Sequence, residues 1–237
     1  MLRTILLAAV VGGALAGVLV TGLQAIRVVP LILAAETFER GEATPAHADA
    51  GHGHAAPGDA AGYDDGWAPE TALQRTLATT FANLSTGIGF ALLLAAALAL
   101  TGGAGWHRGL LWGLGGYAAF VLAPSISLPP SIPGMPEAPL EARQLWWLAT
   151  VVATAAGLFL LIRLRVWYGA LLGALCLVLP HLIGAPTPVV EEGPVPVDIV
   201  HAFRSATQTT NLVFWLVLGT ATGFLFGRLS QAPAQAA

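Results

Sequence analysis

Long apolar runs, separated by short polar turns and by two acidic stretches, dominate the chain. Such runs predict membrane-crossing helices, because a hydrocarbon core of ~30 Å takes ~20 residues at ~1.5 Å each. Six crossings are expected, over about residues 4–26, 76–100, 109–123, 145–162, 166–183 and 205–226. The first run follows Arg3. A cleaved leader also opens with a positive residue and an apolar stretch, but its apolar part is shorter. This one continues through Val28-Val29-Pro30-Leu31-Ile32-Leu33, so a retained span is expected. Pro30 is expected to bend or end that helix, and Glu36 and Glu39 to mark its arrival in water. Pro124 is expected to end the third span, followed by a rigid, extended stretch over Leu128-Pro129-Pro130 to Pro136. Aromatic pairs, Trp146-Trp147 and Trp167-Tyr168, fit interfacial belts.

Small residues recur at spacing four: Ala9, Gly13, Gly17; Gly109, Gly113; Gly169, Gly173; and Gly219, Gly223, Gly227. Each set forms a ridge that another backbone can approach closely. A homo-oligomer is one arrangement such ridges permit. Between the first two spans lies the one long non-helical expectation, residues 36–75. That segment is rich in Ala, Gly, Asp and His and has too little apolar content to build a core, so disorder or weak structure is expected.

Composition agrees with the pattern. Of 237 residues, 56% are hydrophobic and 10% charged, against roughly a quarter charged in a soluble domain. The expected fold class is therefore all-α, a polytopic helical bundle surrounded by membrane lipid. The net charge of -3 and the absence of a basic tract give no reason to expect nucleic acid. Cys176 is the only cysteine, which excludes an internal disulfide and a cysteine-built zinc site.

Charge also orients the chain. All thirteen Asp and Glu fall in the first, third and fifth loops. The termini and the even-numbered loops hold Arg3, Arg108, Arg163, Arg165 and Arg228 and no acid. Dense positive charge marks the cytoplasmic side. The expectation is a bacterial inner-membrane protein with both termini cytoplasmic and the 36–75 loop exterior.

No charged residue lies near the middle of a span, which argues against a charged proton relay at the midplane. The polar residues left inside are neutral, and their depth is informative. Asn83 lies ~12 Å in from Arg75 and Asn211 ~10 Å in from Arg204, at ~1.5 Å per residue. Gln24, Gln208 and His181 also fall in the outer half. Together they suggest a polar vestibule open to the outside that narrows to an apolar constriction. Residues of this kind also bond to neighbouring helices with no ligand involved. His181 stands apart, since it lies in an apolar run and Pro180 before it frees a backbone carbonyl.

The exterior loop carries His47, Asp49, His52 and His54 within eight residues. Neutral imidazole binds first-row divalent metals and carboxylate is a compatible ligand. Gly53 lets His52 and His54 converge on one ion. A flexible site must bear its own ordering entropy, so modest affinity is expected. The alternative is a solvated linker in which histidine is incidental.

Several stretches resemble one family, that of the probable cobalt transporter protein CbtA. They are Leu6 to Gly17 with Val29-Pro30-Leu31-Ile32-Leu33-Ala34-Ala35-Glu36; Asn83-Leu84 to Leu92; Gly109-Leu-Leu-Trp112-Gly113; Ala123-Pro124 to Gly134; Arg143-Gln144-Leu145-Trp146-Trp147; and Leu179-Pro180-His181 to Pro186. The resemblance implies a multi-span membrane protein that imports cobalt for corrinoid synthesis. It also implies a small one-span partner within the same transporter, with its own His-rich segment. Glu36 and His181 fall inside the matching stretches and are taken as metal-binding candidates alongside His47, Asp49, His52 and His54. Co²⁺ is the expected ion, with Ni²⁺ the near alternative, and no organic cofactor is expected. The chain has no Gly-x-x-x-x-Gly-Lys loop, so it does not itself use ATP, and no His-Glu-x-x-His motif. An enzyme is not expected. The rival reading is a non-transporting membrane accessory that binds or senses periplasmic metal for a partner transporter.

Overall fold

The structure is a computed structural model that describes residues 1–42, 71–189 and 193–231. Among these residues the chain is helical and carries no strand. The helices are α1 (Leu2–Arg27), α2 (Val29–Glu42), α3 (Ala72–Leu100), α4 (Trp106–Tyr117), a π-helical turn (Ala118–Leu122), α5 (Ala123–Ser127), α6 (Leu140–Arg163), α7 (Trp167–Ile183) and α8 (Val197–Gln231). Five stretches are long and apolar enough to cross a membrane: Leu2–Arg27, Ala72–Leu100, Trp106–Ser127, Leu140–Arg163 and Val197–Gln231. The sixth expected span, α7, is shorter at 17 residues, about 25 Å at ~1.5 Å per residue. The chain is an all-α, polytopic bundle.

Several boundaries depart from expectation. The first helix breaks at Val28 (φ -104°, ψ -48°), before Pro30, and α2 starts there and runs to Glu42. Pro30 is thus the second residue of a new helix, where its missing N–H costs nothing. Glu36 sits inside α2, whereas a loop was expected from that point. Helix α3 begins earlier than expected because Thr71 and Gln74 form a capping box. Thr71 Oγ1 accepts from the Gln74 N–H at 3.2 Å, and Gln74 Oε1 accepts from the Thr71 N–H at 3.3 Å. Helix α8 begins at Val197, so Asp198 and Arg204, expected in or beside a loop, are helical.

Pro124 does not end the third span, which continues to Ser127. A proline at that position cannot donate to the Phe120 carbonyl. The chain takes a π turn there, with the Ala123 N–H donating to the Ala118 carbonyl, and continues as α5. The Phe120 carbonyl accepts instead from the Trp147 indole, at 3.3 Å.

Helix α8 is the axis of the bundle, with α1, α3 and α4 packed against it. The small-residue ridges are where the helices meet. A Cβ on Gly219 would fall on the Gly109 carbonyl oxygen and 2.8 Å from Gly113 Cα, and one on Gly223 would lie 2.6 Å from Gly109 Cα. The Gly105 N–H crosses to the Gly223 carbonyl at 3.1 Å. Between α1 and α3, Gly13 meets Gly87, and Gly17 meets the Asn83 carbonyl, 2.8 Å from the position of an added Cβ. Gly157 of α6 and Gly173 of α7 face each other's carbonyls in the same way. The α6–α7 hairpin packs chiefly on the π turn and α5.

Three apolar clusters stack along the bundle. Ala8, Leu98 and Phe226 join α1, α3 and α8 at one end. Ala16, Ala91, Leu94, Phe214, Trp215 and Leu218 fill the middle. At the other end, Val28, Ala35, Ile132, Val195, Val200 and Phe203 tie α2 and the proline-rich loop to the first turns of α8. That last cluster holds the part of α8 that exceeds a membrane core: 35 residues make ~52 Å, against ~30 Å of hydrocarbon.

Candidate functional site

The polar residues expected within the spans fall into three small groups, each on a different set of helices. In the first, Asn83 of α3 donates from Nδ2 to Gln24 Oε1 at 2.7 Å and to Thr21 Oγ1 at 3.0 Å. Thr21 in turn donates to the Gly17 carbonyl at 2.8 Å. The Gly17–Asn83 backbone contact brings these side chains within reach. Two of the expected vestibule residues, Gln24 and Asn83, are therefore direct partners.

In the second group, the Tyr117 hydroxyl at the end of α4 donates to Gln208 Oε1 of α8 at 3.2 Å. Asn211 lies one turn on and donates to the Thr207 carbonyl of its own helix at 2.9 Å. Toward the other end of α8 lies an aromatic cluster. Phe90 approaches Phe120 at 4.9 Å and Trp215 at 4.8 Å between ring centroids, and Phe120 stacks on Trp215 at 5.6 Å. Gly116 allows this, since a Cβ there would run into the Trp215 ring. The apolar constriction was expected of Ala, Leu, Val and Gly, whereas the residues gathered here are aromatic.

The third group is built at the junction of α5, α6 and α7. His181 Nδ1 lies 2.9 Å from Ser127 Oγ. The Trp146 ring stands edge-on to the imidazole with centroids 6.1 Å apart. Trp146 is 9% exposed, and its indole N–H is buried with no hydrogen-bond partner. A hydrogen bond at one ring nitrogen is how metal-binding histidines are held, leaving the other nitrogen for an ion. An indole N–H only donates, so it suits a water or an anion that accompanies a cation and not the cation itself.

Glu36 pairs with Arg75 at 3.3 Å, joining α2 to the first turn of α3. His47, Asp49, His52 and His54 lie outside the described residues. Among the described residues no three His, Cys, Asp or Glu converge on a point that could hold a metal ion. Thr21, Tyr117, Ser127 and Trp146 are the members of these groups that the sequence reading missed. Tyr117 had a signal, a phenol within an apolar run that needs a partner once buried. Ser127 had none, because its contact spans 54 residues.

The family model for the probable cobalt transporter subunit (CbtA) matches residues 2–227. The chain belongs to that family. No curated protein and no solved structure matches it. Membership makes the chain one component of a cobalt transporter: a multi-pass membrane protein that works with partner subunits, with cobalt as its cargo.

Proposed function

We propose that the chain conducts Co²⁺, and less readily Ni²⁺, from the exterior into a bacterial cell, with its termini cytoplasmic in the inner membrane. His47, Asp49, His52 and His54 of the exterior loop gather the ion, with Glu36 at the loop's foot. His181 receives it through its second ring nitrogen. Asn83 and Gln24, then Gln208 and Asn211, offer oxygen ligands on the outer side of the Phe90–Phe120–Trp215 cluster, which must part for an ion to pass. The drive is the membrane potential, ~2.3 kcal/mol per charge per 100 mV. A one-span partner protein with its own His-rich segment assists. The observation that carries this reading is His181, held at Nδ1 by Ser127 in a family whose cargo is cobalt.

The test is radioactive cobalt uptake into liposomes holding the purified chain, with nickel and zinc as competitors. Uptake above empty liposomes, strongly reduced by His181→Ala, is expected. The absence of a three-ligand group among the described residues favours one second reading, a non-transporting accessory that presents metal to a partner. Metal binding without uptake, whether the chain is alone or with its one-span partner, would establish that reading and overturn ours.

A further inference from the structure

Among the described residues, the end of the bundle that carries Arg3, Arg108, Arg163, Arg165 and Arg228 has no Asp or Glu to neutralise it. The thirteen acids lie in residues 36–70, 137–141 and 191–198. Packing brings the segments of Arg3, Arg108 and Arg228 to one end: Phe226 of α8 meets Ala8 of α1 and Leu98 of α3, and the Gly105 N–H reaches the Gly223 carbonyl. Two ion pairs, Arg75–Glu36 and Arg143–Glu137, lie at the opposite end. Among the described residues this arginine belt therefore carries a surplus of positive charge.

An apolar groove runs up to this belt on the outward face of α8. It has a volume of about 560 Å³ and is lined by Trp106, Leu216, Val217, Thr220, Ala221 and Phe224. Thr220 and Ala221 give it small side chains, and Trp106 and Phe224 large aromatic ones. Arg228, one turn beyond Phe224 on the same face, lies over the Phe224 ring at 5.2 Å from its centroid. Trp106 is half exposed and stacks on His107, an aromatic anchor at headgroup level. From Arg228 to Leu216 is ~18 Å at ~1.5 Å per residue, close to the ~15 Å depth of one leaflet of a ~30 Å core.

We infer that this groove binds an anionic phospholipid. One acyl chain lies along Phe224, Ala221 and Leu216, and the phosphate is paired with Arg228. The cation–π contact holds the guanidinium against Phe224, a lining residue of the groove, which gives a two-point site for a charged headgroup and its chain. A zwitterionic lipid carries the same chain but brings its own cation to the arginine.

Native mass spectrometry of the full chain in detergent, with phosphatidylglycerol or phosphatidylcholine of identical chains, tests this. Wild type should retain phosphatidylglycerol preferentially. Arg228→Gln should lower that occupancy about fivefold, the equivalent of ~1 kcal/mol for one arginine at a lipid surface. Ala221→Leu, which puts a larger side chain into the groove, should lower occupancy of both lipids. Arg163→Gln, which removes the same charge from the α6–α7 turn, should leave occupancy unchanged. The melting temperature in the presence of phosphatidylglycerol gives a second readout and should fall in parallel with occupancy. Equal retention of the two lipids, or retention unaffected by both Arg228→Gln and Ala221→Leu, overturns the proposal. So does a lipid-independent dimer that Ala221→Leu dissociates, which would make a second copy the occupant.

Discussion

Asn83 makes two hydrogen bonds across the α1–α3 interface, to Gln24 at 2.7 Å and to Thr21 at 3.0 Å. Replacing it with leucine removes both and leaves Gln24 Oε1 without that donor. Hydrogen bonds between membrane helices average ~0.6 kcal/mol and reach ~1.7 at most, because the separated helices also find partners. Two such bonds put Asn83→Leu at about 1–3 kcal/mol of lost stability. The shorter bond can be isolated. In a double-mutant cycle, Asn83→Leu with Gln24→Leu should cost less than the sum of the singles by ~0.6–1.7 kcal/mol. A cycle with Gln208→Leu, on a different helix set, should be additive to within ~0.5 kcal/mol. Reversible unfolding in mixed detergent micelles measures all of these. A coupling near zero between Asn83 and Gln24, or as large a coupling between Asn83 and Gln208, would refute the arrangement of separate polar groups.

The other contacts give their own expectations. Gly219→Ala puts a methyl against the backbone of Gly109 and Gly113 and should cost about 1–3 kcal/mol in the same unfolding assay. Gly89→Ala, with nothing within 4 Å of the new methyl, should be neutral or stabilising by up to ~1 kcal/mol. Trp147→Phe leaves the Phe120 carbonyl without its indole donor and should cost ~1 kcal/mol. The same change should cost less in a Pro124→Ala background, where residue 124 regains an N–H for that carbonyl. Arg75→Gln breaks an ion pair whose arginine is 49% exposed and should change stability by under ~1 kcal/mol, a difference that shrinks further with added salt.

Much of the architecture was legible in the residue pattern. Apolar run length gives the helices, and spacing-four glycines mark the faces that touch. The boundaries that differ have specific causes, one local and two not. The Thr71-x-x-Gln74 cap was present in the sequence but lay outside the apolar run on which the α3 start was judged. The early start of α8 depends on Val200 and Phe203 finding Val28 and Ile132, contacts that no window along one segment contains. Pro124 was read as a stop because a proline removes a hydrogen bond. Whether the helix survives depends on who takes the freed carbonyl, and here Trp147, 27 residues away, does.

The polar interior shows where that legibility ends. Counting residues along a helix gives depth, and by depth Gln24, Asn83, Gln208, Asn211 and His181 form one layer. Counting along one helix does not give the direction each side chain faces in the assembled bundle, because packing sets it. Gly17 presents no Cβ, so α3 comes close enough for the Asn83 carbonyl to rest on α1, and the Asn83 amide then faces Thr21 and Gln24. Gly113, Gly116 and Gly219 likewise draw α4 onto α8, which seats Trp215 against α4 and brings Tyr117 to Gln208. His181 lies on the α6–α7 hairpin, where Gly157 and Gly173 set the approach, and it meets Ser127 and Trp146. The glycine ridges thus divide one layer of polar residues into three groups. An ion crossing this layer would have to pass from one group to another, and the aromatic cluster of Phe90, Phe120 and Trp215 joins the helices that carry them. Phe120, on its π turn, is the hub of that cluster, since it touches Phe90, Trp147 and Trp215 at once.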